Sequence, residues 1–243
     1  MTEYNSVVLN AEELTARATR FYNRYGSDLE QIRELLNIRL RQLTLAYTIQ
    51  NNLPPEAIIV NSRVKTLASF LKKLEKKNWP QFYYPTEAVG DLVGARVICW
   101  FVDDCKGVMN FIKSSNHLSI HAEIEDYISN PKVSGYRSIH LLADVGYDAV
   151  RRNDKGMTID SSKMTCEVQI RSKLQDAWGD LTHEFHYKAT NAGIHNKMYE
   201  RILSEVSTRL ANEDRSLMTL RDAYQELAEE KLVKHQREGF REA

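Results

Sequence analysis

The stretch Gly94–Phe101 reads GARVICWF, a near-continuous run of apolar residues. Such a run predicts a central β-strand that is covered on both faces. Residues 164–171 predict a strand of another kind, because apolar and polar residues alternate there with the period of two that a strand imposes. The alternation gives two sides, an apolar one with Cys166, Val168 and Ile170 and a polar one with Glu167, Gln169 and Arg171. The sheet is therefore expected to present one polar surface.

The segments around these strands predict further helices and strands. On the N-terminal side, periodicity predicts a helix over 11–25, a longer helix that a capping box at Ser27 and Glu30 opens, and a helix over 66–78. Asn51–Pro55 is expected to stop the second of these helices. The C-terminal side predicts, in chain order, a helix over 104–114, a strand near 118–125, a Gly-containing loop at 130–136, a strand near 137–145, and helices from Lys173 onward.

This order of elements predicts an α+β fold, in which helices flank one mixed β-sheet. We expect three parts: an N-terminal helical extension over residues 1–60, a central domain over 61–190 and a C-terminal helical extension over 191–243. The last part carries an apolar stripe at helical spacing, formed by Ile202, Val206, Leu210, Leu217, Leu220, Tyr224 and Leu227. The stripe predicts either a surface for a homo-oligomer or a core folded back on the domain, and the sequence favours neither.

The composition excludes several classes of protein. The 243 residues are 42% hydrophobic and 27% charged, as in a soluble globular protein. The formal net charge is zero, so a binding site for a polyanion must be a local patch. No apolar run approaches the roughly 20 residues of a membrane helix, and the N-terminus lacks the features of a signal peptide. Cys99 and Cys166 lie in apolar strand patterns and form no zinc-binding spacing with Cys105, which predicts buried thiols and a cytoplasmic protein.

Two carboxylates are candidates for a metal site. Asp91 stands just before the predicted central strand, and Glu167 lies on the polar face of residues 164–171. Carboxylates on neighbouring strands suit a Mg²⁺ ion that bridges nucleotide phosphates. The alternative is structural: Asp91 would cap a turn, and Glu167 would pair with Arg171 on a solvated face.

Cationic residues are concentrated before the central strand. The cluster surrounds Ser69 and consists of Arg63, Lys65, Lys72, Lys73, Lys76 and Lys77. Lys65, Ser69 and Lys73 recur at intervals of four residues, which predicts that they share one face of a helix. A face of this kind either grips phosphate groups or is simply solvated.

The predicted loop NPKVSGYRSIH, residues 130–140, contains a Gly-Tyr pair. Gly135 permits close approach of the backbone to a ligand. Tyr136 beside it offers an aromatic face on which a base can stack. Taken alone, such a pair is weak evidence for a nucleotide site.

Four segments together resemble the synthetase domain of the RelA/SpoT-homologue family, the (p)ppGpp alarmone synthetases. The segments are NSRVKTLASFLKKLEKK (61–77), DLVGARVICWF (91–101), DYISNPKVSGYRSIH (126–140) and CEVQIRSKLQDAWGDLTHEFHYK (166–188). The resemblance implies a nucleotidyltransferase-like mixed sheet with flanking helices. It also implies transfer of the β,γ-pyrophosphate of ATP to the 3′-hydroxyl of GDP or GTP, with release of AMP.

The resemblance also implies roles for single residues. Asp91 and Glu167 match the Mg²⁺ carboxylates, and Glu167 is the implied base for the acceptor hydroxyl. Tyr136 matches the residue that stacks on the acceptor guanine. The implied ATP-binding residues are Arg63 and Arg96, on either side of the adenine ring, and Lys65, Ser69, Lys73 and Lys77 at the phosphates. The remaining implied acceptor-binding residues are Lys132, Arg137, His140, Gln169 and Arg171.

Long members of that family carry a His-Asp hydrolase domain before the synthetase domain and regulatory domains after it. The residues before Arg63 contain no histidine, so we expect a stand-alone small synthetase without hydrolase activity. In small relatives the terminal helices pack into homotetramers, which is one use for the apolar stripe described above.

A second acceptor stays open at this point. Some small synthetases are toxins of toxin–antitoxin pairs and transfer pyrophosphate from ATP to the 3′ end of tRNA, which blocks translation; such a protein would have an antitoxin partner. The candidate tRNA contacts here are the Lys72–Lys77 cluster, Arg151, Arg152, and a tail with Lys231, Lys234, Arg237 and Arg241. The zero net charge argues mildly against a large RNA footprint.

A third interpretation is a catalytically silent protein that senses guanine nucleotides. The pair Asp91 and Glu167 argues against it, because a sensor has little use for two metal-binding carboxylates.

Overall fold

The computed structural model describes residues 9–116, 118–121, 123–154, 156–191 and 197–239, with side chains at all of these positions except 153, 186–191 and 232–239. The helices are α1 (Ala11–Gln50), α2 (Leu67–Lys76), α3 (Pro85–Ala88), α4 (Val102–Ser114), α5 (Lys173–Asn191) and α6 (Lys197–Gly239). The strands are β1 (Ile58–Val64), β2 (Val93–Cys99), β3 (Ser119–Ile120), β4 (Glu125–Asp126), β5 (Ile139–Asn153) and β6 (Gly156–Ser172). Within the described ranges, no helix is long and apolar enough to span a membrane.

The strands form one sheet with the order β1-β2-β6-β5-β3, and β4 pairs with β5. Antiparallel pairing joins β5 to both β3 and β6, and its register places His140 opposite Gln169 and Leu142 opposite Glu167. β2 lies between β1 and β6 and is buried along most of its length, so the central strand that GARVICWF predicts is confirmed. The α+β class, with a mixed sheet flanked by helices, is confirmed as well.

The alternation predicted for 164–171 is present in β6. Its apolar side is buried, while Glu167 and Gln169 on the other side are partly exposed. Arg171 ends that polar side with 5% of its surface exposed. The polar side is therefore a partly enclosed surface and does not simply face solvent.

The described residues divide into two compact units that alternate along the chain. The first unit holds the described parts of 1–97, 107–125 and 139–170, and the second holds those of 98–106, 126–138 and 171–243. Most of the sheet, with α1 to α3, belongs to the first unit, and α5 and α6 belong to the second. The three consecutive parts expected from the sequence remain a prediction of the domain boundaries.

In the first unit, α1 is one uninterrupted helix, so the predicted break near residue 26 is wrong. The capping box lies at the true N-terminus, between Asn10 and Glu13. Gly26 sits inside the helix, where glycine costs about 1 kcal/mol relative to alanine. The buried stripe continues across that position, with Asp28 and Leu29 following directly. Because α1 packs against β1 and β5, burial of this stripe outweighs the local preference for a break.

Two parts of the sheet were not predicted from the sequence. β1 was missed because its apolar start, Ile58–Val60, is short and is followed by Asn61, Ser62 and Arg63. The hairpin of β5 and β6 is also longer than predicted, since pairing continues to Asn153 opposite Gly156. Most side chains in the outer half of this hairpin are polar or exposed, so this stretch lacks the half-buried alternation that marks a strand.

In the second unit, the buried face of α6 is small and polar. It includes Ser207, Ala211 and Asp214, which recur at helical spacing. The predicted apolar stripe lies elsewhere on the helix, and six of its seven residues are exposed, namely Ile202, Val206, Leu217, Leu220, Tyr224 and Leu227. The stripe does not fold back as core, and the homo-oligomer stays a prediction.

The three cysteines are free thiols, and all three are buried. The predicted burial of Cys99 and Cys166 is thus confirmed. Burial raises the pKa of the Cys166 thiol to about 12, and the charge of Asp144 adds to the effect.

Candidate active site

Asp91 is the centre of an ion-paired group in the first unit. Lys65 Nζ lies 2.9 Å from Asp91 Oδ2, and Lys73 Nζ lies 2.9 Å from Asp91 Oδ1. Lys73 belongs to α2, whereas Lys65 precedes that helix and its N–H donates to the Leu92 carbonyl at 2.8 Å. The prediction that Lys65, Ser69 and Lys73 share one helix face is therefore wrong for Lys65. The two ammonium groups still meet, because they approach one carboxylate from different elements.

These ion pairs keep Asp91 ionised. Burial on its own would raise the pKa of this carboxyl, but hydrogen bonds from Lys73 and Lys65 outweigh it and hold the pKa below the usual value. The Tyr22 hydroxyl of α1 donates to the Lys65 carbonyl at 2.9 Å and so supports the backbone of Lys65. Burial and the nearby charge of Asp91 raise the pKa of Tyr22, which keeps this donor neutral. Tyr22 gave no signal in the sequence, since an aromatic residue on a helix is usually core.

Glu167 is held by two neighbours on the polar face of the sheet. His140 Nδ1 lies 3.3 Å from Glu167 Oε1, and Gln169 Nε2 donates to Glu167 Oε2 at 2.8 Å. Burial would raise the pKa of Glu167, as does the charge of Asp91, but the interactions with His140 and Gln169 prevail and lower it. Glu167 makes these contacts in place of the ion pair with Arg171 that the structural alternative requires.

Both carboxylates line one cavity of about 280 Å³ in the first unit. Lys73 and His140 also face it, as do Glu123 and Glu125, which were not predicted from the sequence. Glu125 begins the two-residue strand β4, and Glu123 lies two residues before it, in a segment with no motif. The cavity thus combines acidic groups, a lysine and a histidine on one polar surface.

The acidic residues of this cavity fit a magnesium ion. Among the residues that the structure describes, no group of three or more His, Cys, Asp or Glu side chains is arranged to hold a metal. Mg²⁺ is usually bound through one or two carboxylates, with water and substrate phosphates as its other ligands. Asp91 and Glu167 supply that pair at the wall of an open cavity.

The other predicted ATP-binding residues belong to the first unit and make varied contacts. Arg63 is exposed on β1, and Arg96 is partly exposed on β2. Ser69 joins the N-terminal cap of α2, where its N–H donates to Thr66 Oγ1 at 3.2 Å. Lys77 Nζ donates to the Ala88 carbonyl at 2.9 Å. The structure therefore brings Lys65 and Lys73 to Asp91, while the roles of these four residues remain predictions.

In the second unit, two of the predicted acceptor residues, Arg171 and Lys132, contact the aromatic ring of a third, Tyr136. Arg171 Nη2 donates to the Tyr136 hydroxyl at 2.7 Å, and the guanidinium carbon lies 5.1 Å from the ring centroid. Lys132 Nζ lies 5.5 Å from the same centroid and 4.1 Å from that of Tyr127. Arg137 turns to the Ile128 carbonyl at 3.2 Å instead. This arrangement places two cations over an aromatic ring.

Comparison with known proteins finds similarity to the RelA/SpoT family. The family described as "Region found in RelA / SpoT proteins" matches residues 62–192. GTP pyrophosphokinase YwaC from Bacillus subtilis is 34% identical over 131 residues, which cover 54% of this chain and 58% of YwaC. GTP pyrophosphokinase YjbM from the same organism is 29% identical over 194 residues, which cover 79% of this chain and 86% of YjbM.

A solved structure extends the likeness to three dimensions. The crystal structure of small alarmone synthetase 1 from Bacillus subtilis superposes with a TM-score of 0.66 and 26% identity, covering 84% of this chain and 98% of that one. The chain thus has an α+β fold similar to that of a small alarmone synthetase. Because the matching region spans more than half of its residues, the chain belongs to the RelA/SpoT family.

Proposed function

We propose that the protein is a small alarmone synthetase, which transfers the β,γ-pyrophosphate of ATP to the 3′-hydroxyl of GDP or GTP and forms (p)ppGpp and AMP. The observation that carries the proposal is the cavity shared by Asp91 and Glu167, with Lys73 at its wall, in a chain of the RelA/SpoT family. YwaC and YjbM, both GTP pyrophosphokinases, support the same reaction class.

The donor half of the proposed site is the ion-paired group in the first unit. Asp91 and Glu167 would hold Mg²⁺, which supplies charge neutralisation at the phosphates of ATP. Lys65 and Lys73 contribute fixed positive charge beside Asp91, and Ser69 and Lys77 are further phosphate contacts. Arg63 and Arg96 would hold the adenine ring between their guanidinium planes.

Glu167 is the proposed base of the reaction. It accepts the proton of the acceptor 3′-hydroxyl while that oxygen bonds to the β-phosphorus of ATP. The bond between the β-phosphorus and the oxygen that links it to the α-phosphate breaks, and AMP leaves. Hydrogen bonds with His140 and Gln169 fix the carboxylate and keep it ionised, so the group is ready to accept a proton.

The acceptor half of the proposed site is centred on Tyr136. An aromatic ring stacks well on a planar base, and adjacent cations add attraction. Arg171 and Lys132 flank this ring, which suits a guanine nucleotide with its phosphates. Arg137, His140 and Gln169 are the other proposed acceptor contacts.

Arg151, one of the candidate tRNA contacts, is engaged in contacts within the first unit. Arg151 forms an ion pair with Asp28 of α1, and its guanidinium lies 5.1 Å from the Tyr25 ring centroid. A side chain engaged in this way is poorly placed to bind an RNA phosphate. Arg241 and the side chains of Lys234 and Arg237 lie outside the described residues. A tRNA acceptor, and with it an antitoxin partner, is therefore the alternative outcome of the test.

The test supplies ATP labelled at the β- or γ-phosphate to the purified protein, with GDP, GTP and deacylated tRNA as acceptors in parallel. We expect label on guanine nucleotide, with AMP formed in equal amount. Label on tRNA alone would overturn the acceptor assignment. Absence of transfer to all three acceptors would overturn the proposed reaction.

A further inference from the structure

The backbone before Tyr136 forms a tight turn in the second unit. Gly135 adopts a φ of 85°, which is favourable for glycine and strained for other residues. Its N–H donates to the Lys132 carbonyl at 2.8 Å, and the Lys132 N–H donates to the Tyr136 carbonyl at 3.2 Å. The turn therefore sets the direction in which the Tyr136 side chain leaves the backbone.

Ser207 of α6 contacts this turn directly. Its hydroxyl donates a hydrogen bond to the Gly135 carbonyl, and only 4% of its surface is exposed. A Cβ atom on Gly135 would lie 2.9 Å from Ser204 Cα and 2.9 Å from Ser207 Cβ. Since no side chain fits between them, α6 packs on the backbone of the turn itself.

The hydroxyl end of Tyr136 is connected to the same helix by a second route. Tyr136 accepts its hydrogen bond from Arg171, and the next residue, Ser172, donates to Asp214 Oδ2 at 2.7 Å. Gln175 of α5 donates to the same oxygen at 3.2 Å. Asp214 is 2% exposed. Its burial raises its pKa, although Ser172, Gln175 and the charge of Arg137 act in the opposite direction.

We propose that Ser207 and Asp214 are positioning residues for the acceptor subsite, and that α6 holds the backbone and the hydroxyl of Tyr136 in the orientation that stacks on guanine. The inference rests on the proposed function, because that function gives Tyr136 its role. Neither residue is proposed to touch substrate, and both act through Tyr136. Helix α6 thus contributes to the acceptor subsite by positioning Tyr136.

The first test is Ser207→Ala, which removes the hydroxyl and leaves the helix intact. A hydrogen bond of this kind is worth roughly a five- to tenfold effect, so we expect the KM for GDP to rise about five- to tenfold. The KM for ATP should stay within about twofold, because the residues proposed to bind ATP belong to the first unit and are held by contacts of their own. Thr208→Ala is the matched control: it removes a neighbouring hydroxyl that donates only to the Ser204 carbonyl within α6.

A double-mutant cycle tests whether Ser207 acts through Tyr136. In a Tyr136→Ala background the ring is absent, so Ser207→Ala should change the KM for GDP by less than about twofold. An unchanged five- to tenfold effect in that background would show that Ser207 acts elsewhere and would overturn the inference. Asp214→Asn should raise the KM for GDP in the same direction, since it weakens the hydrogen bonds from Ser172 and Gln175.

Amide hydrogen exchange separates this inference from the proposed function. Ser207→Ala should speed exchange at the amides of Lys132 and Gly135, whose hydrogen bonds close the turn, and Thr208→Ala should not. Exchange that is identical in the two variants would overturn the inference, whatever the enzyme does. A different result would overturn the proposed function and the acceptor role of the turn: Ser207→Ala speeds exchange as expected, but the wild-type protein transfers nothing to GDP or GTP.

Discussion

The Asp91 group in the first unit and the Tyr136 group in the second unit are held by different forces. Asp91 is fixed by two ion pairs and Glu167 by neighbours in strand register. Tyr136 is fixed by a glycine turn, an arginine and the buried face of α6. The contrast indicates that substitutions in the first group should lower the rate of transfer, whereas those in the second should weaken acceptor binding.

The largest effect is expected for Glu167→Gln. General-base catalysis contributes about 10²- to 10⁴-fold, so loss of the proposed base should lower kcat roughly 10³-fold while ATP affinity changes by less than about twofold. Single-turnover transfer and calorimetric ATP binding measure the two quantities. Asp160→Asn, at an exposed position of the same strand, is the control. Full activity of the Glu167 variant would contradict the assignment of Glu167 as base and as a ligand of Mg²⁺.

A smaller loss is expected for Asp91→Asn. The change removes one proposed Mg²⁺ carboxylate and leaves Lys65 and Lys73 without their common partner. The Mg²⁺ concentration for half-maximal transfer should rise about tenfold or more, because a hard cation prefers a charged oxygen. A magnesium titration at saturating ATP checks this. A titration curve that coincides with the wild type would contradict the metal assignment of Asp91.

Tyr136→Phe tests the second group and should affect acceptor binding. The ring remains, but the hydrogen bond from Arg171 is lost, so the KM for GDP should rise about fivefold with kcat and the KM for ATP within about twofold. Steady-state kinetics with each substrate varied in turn measure the split. A fall in kcat comparable to that of Asp91→Asn would erase the distinction between the two groups.

The smallest effect is expected in the pH dependence of stability. The folded-state pKa values of Asp91 and Glu167 are lowered, so their stabilisation is fully present above the unfolded-state pKa of about 4. It is lost as the pH falls through the lower folded-state pKa values. Urea unfolding between pH 3 and 7 should therefore show a shallower acid limb for Asp91→Asn than for the wild type. Tyr136→Phe should retain the wild-type slope, and equal slopes in all three proteins would contradict the prediction.

The central strand of the sheet and the polar face of β6 could be predicted because their signals are local. GARVICWF is apolar enough to mark a buried strand, and the alternation around Glu167 fixes which side chains share a face. The meeting of Asp91 and Glu167 at one cavity was inferred from the motifs, and the structure brings them together. Their chemical roles remain predictions that the variants above test.

Other features depend on contacts between residues far apart in the sequence. Gly26 and Ser27 carry the local signals of a helix break, yet packing of α1 on β1 and β5 overrides them. The contacts of Ser207 and Asp214 join residues about 40 to 70 positions apart. A serine and an aspartate on a charged helix give no pattern from which such contacts could be inferred.

Helix α1 has consequences for genetic recombination between relatives of this protein. It runs for 40 residues, about 60 Å at 1.5 Å per residue, and it lies before the matched region at 62–192. Its buried residues include Leu29, Ile32, Leu36 and Leu40, and its Tyr22 supports Lys65. A genetic crossover at residue 61 would divide β1 and would separate the matched region from the helix that packs on β1 and β5. Recombination between relatives would thus have to inherit the helix together with the motifs it supports.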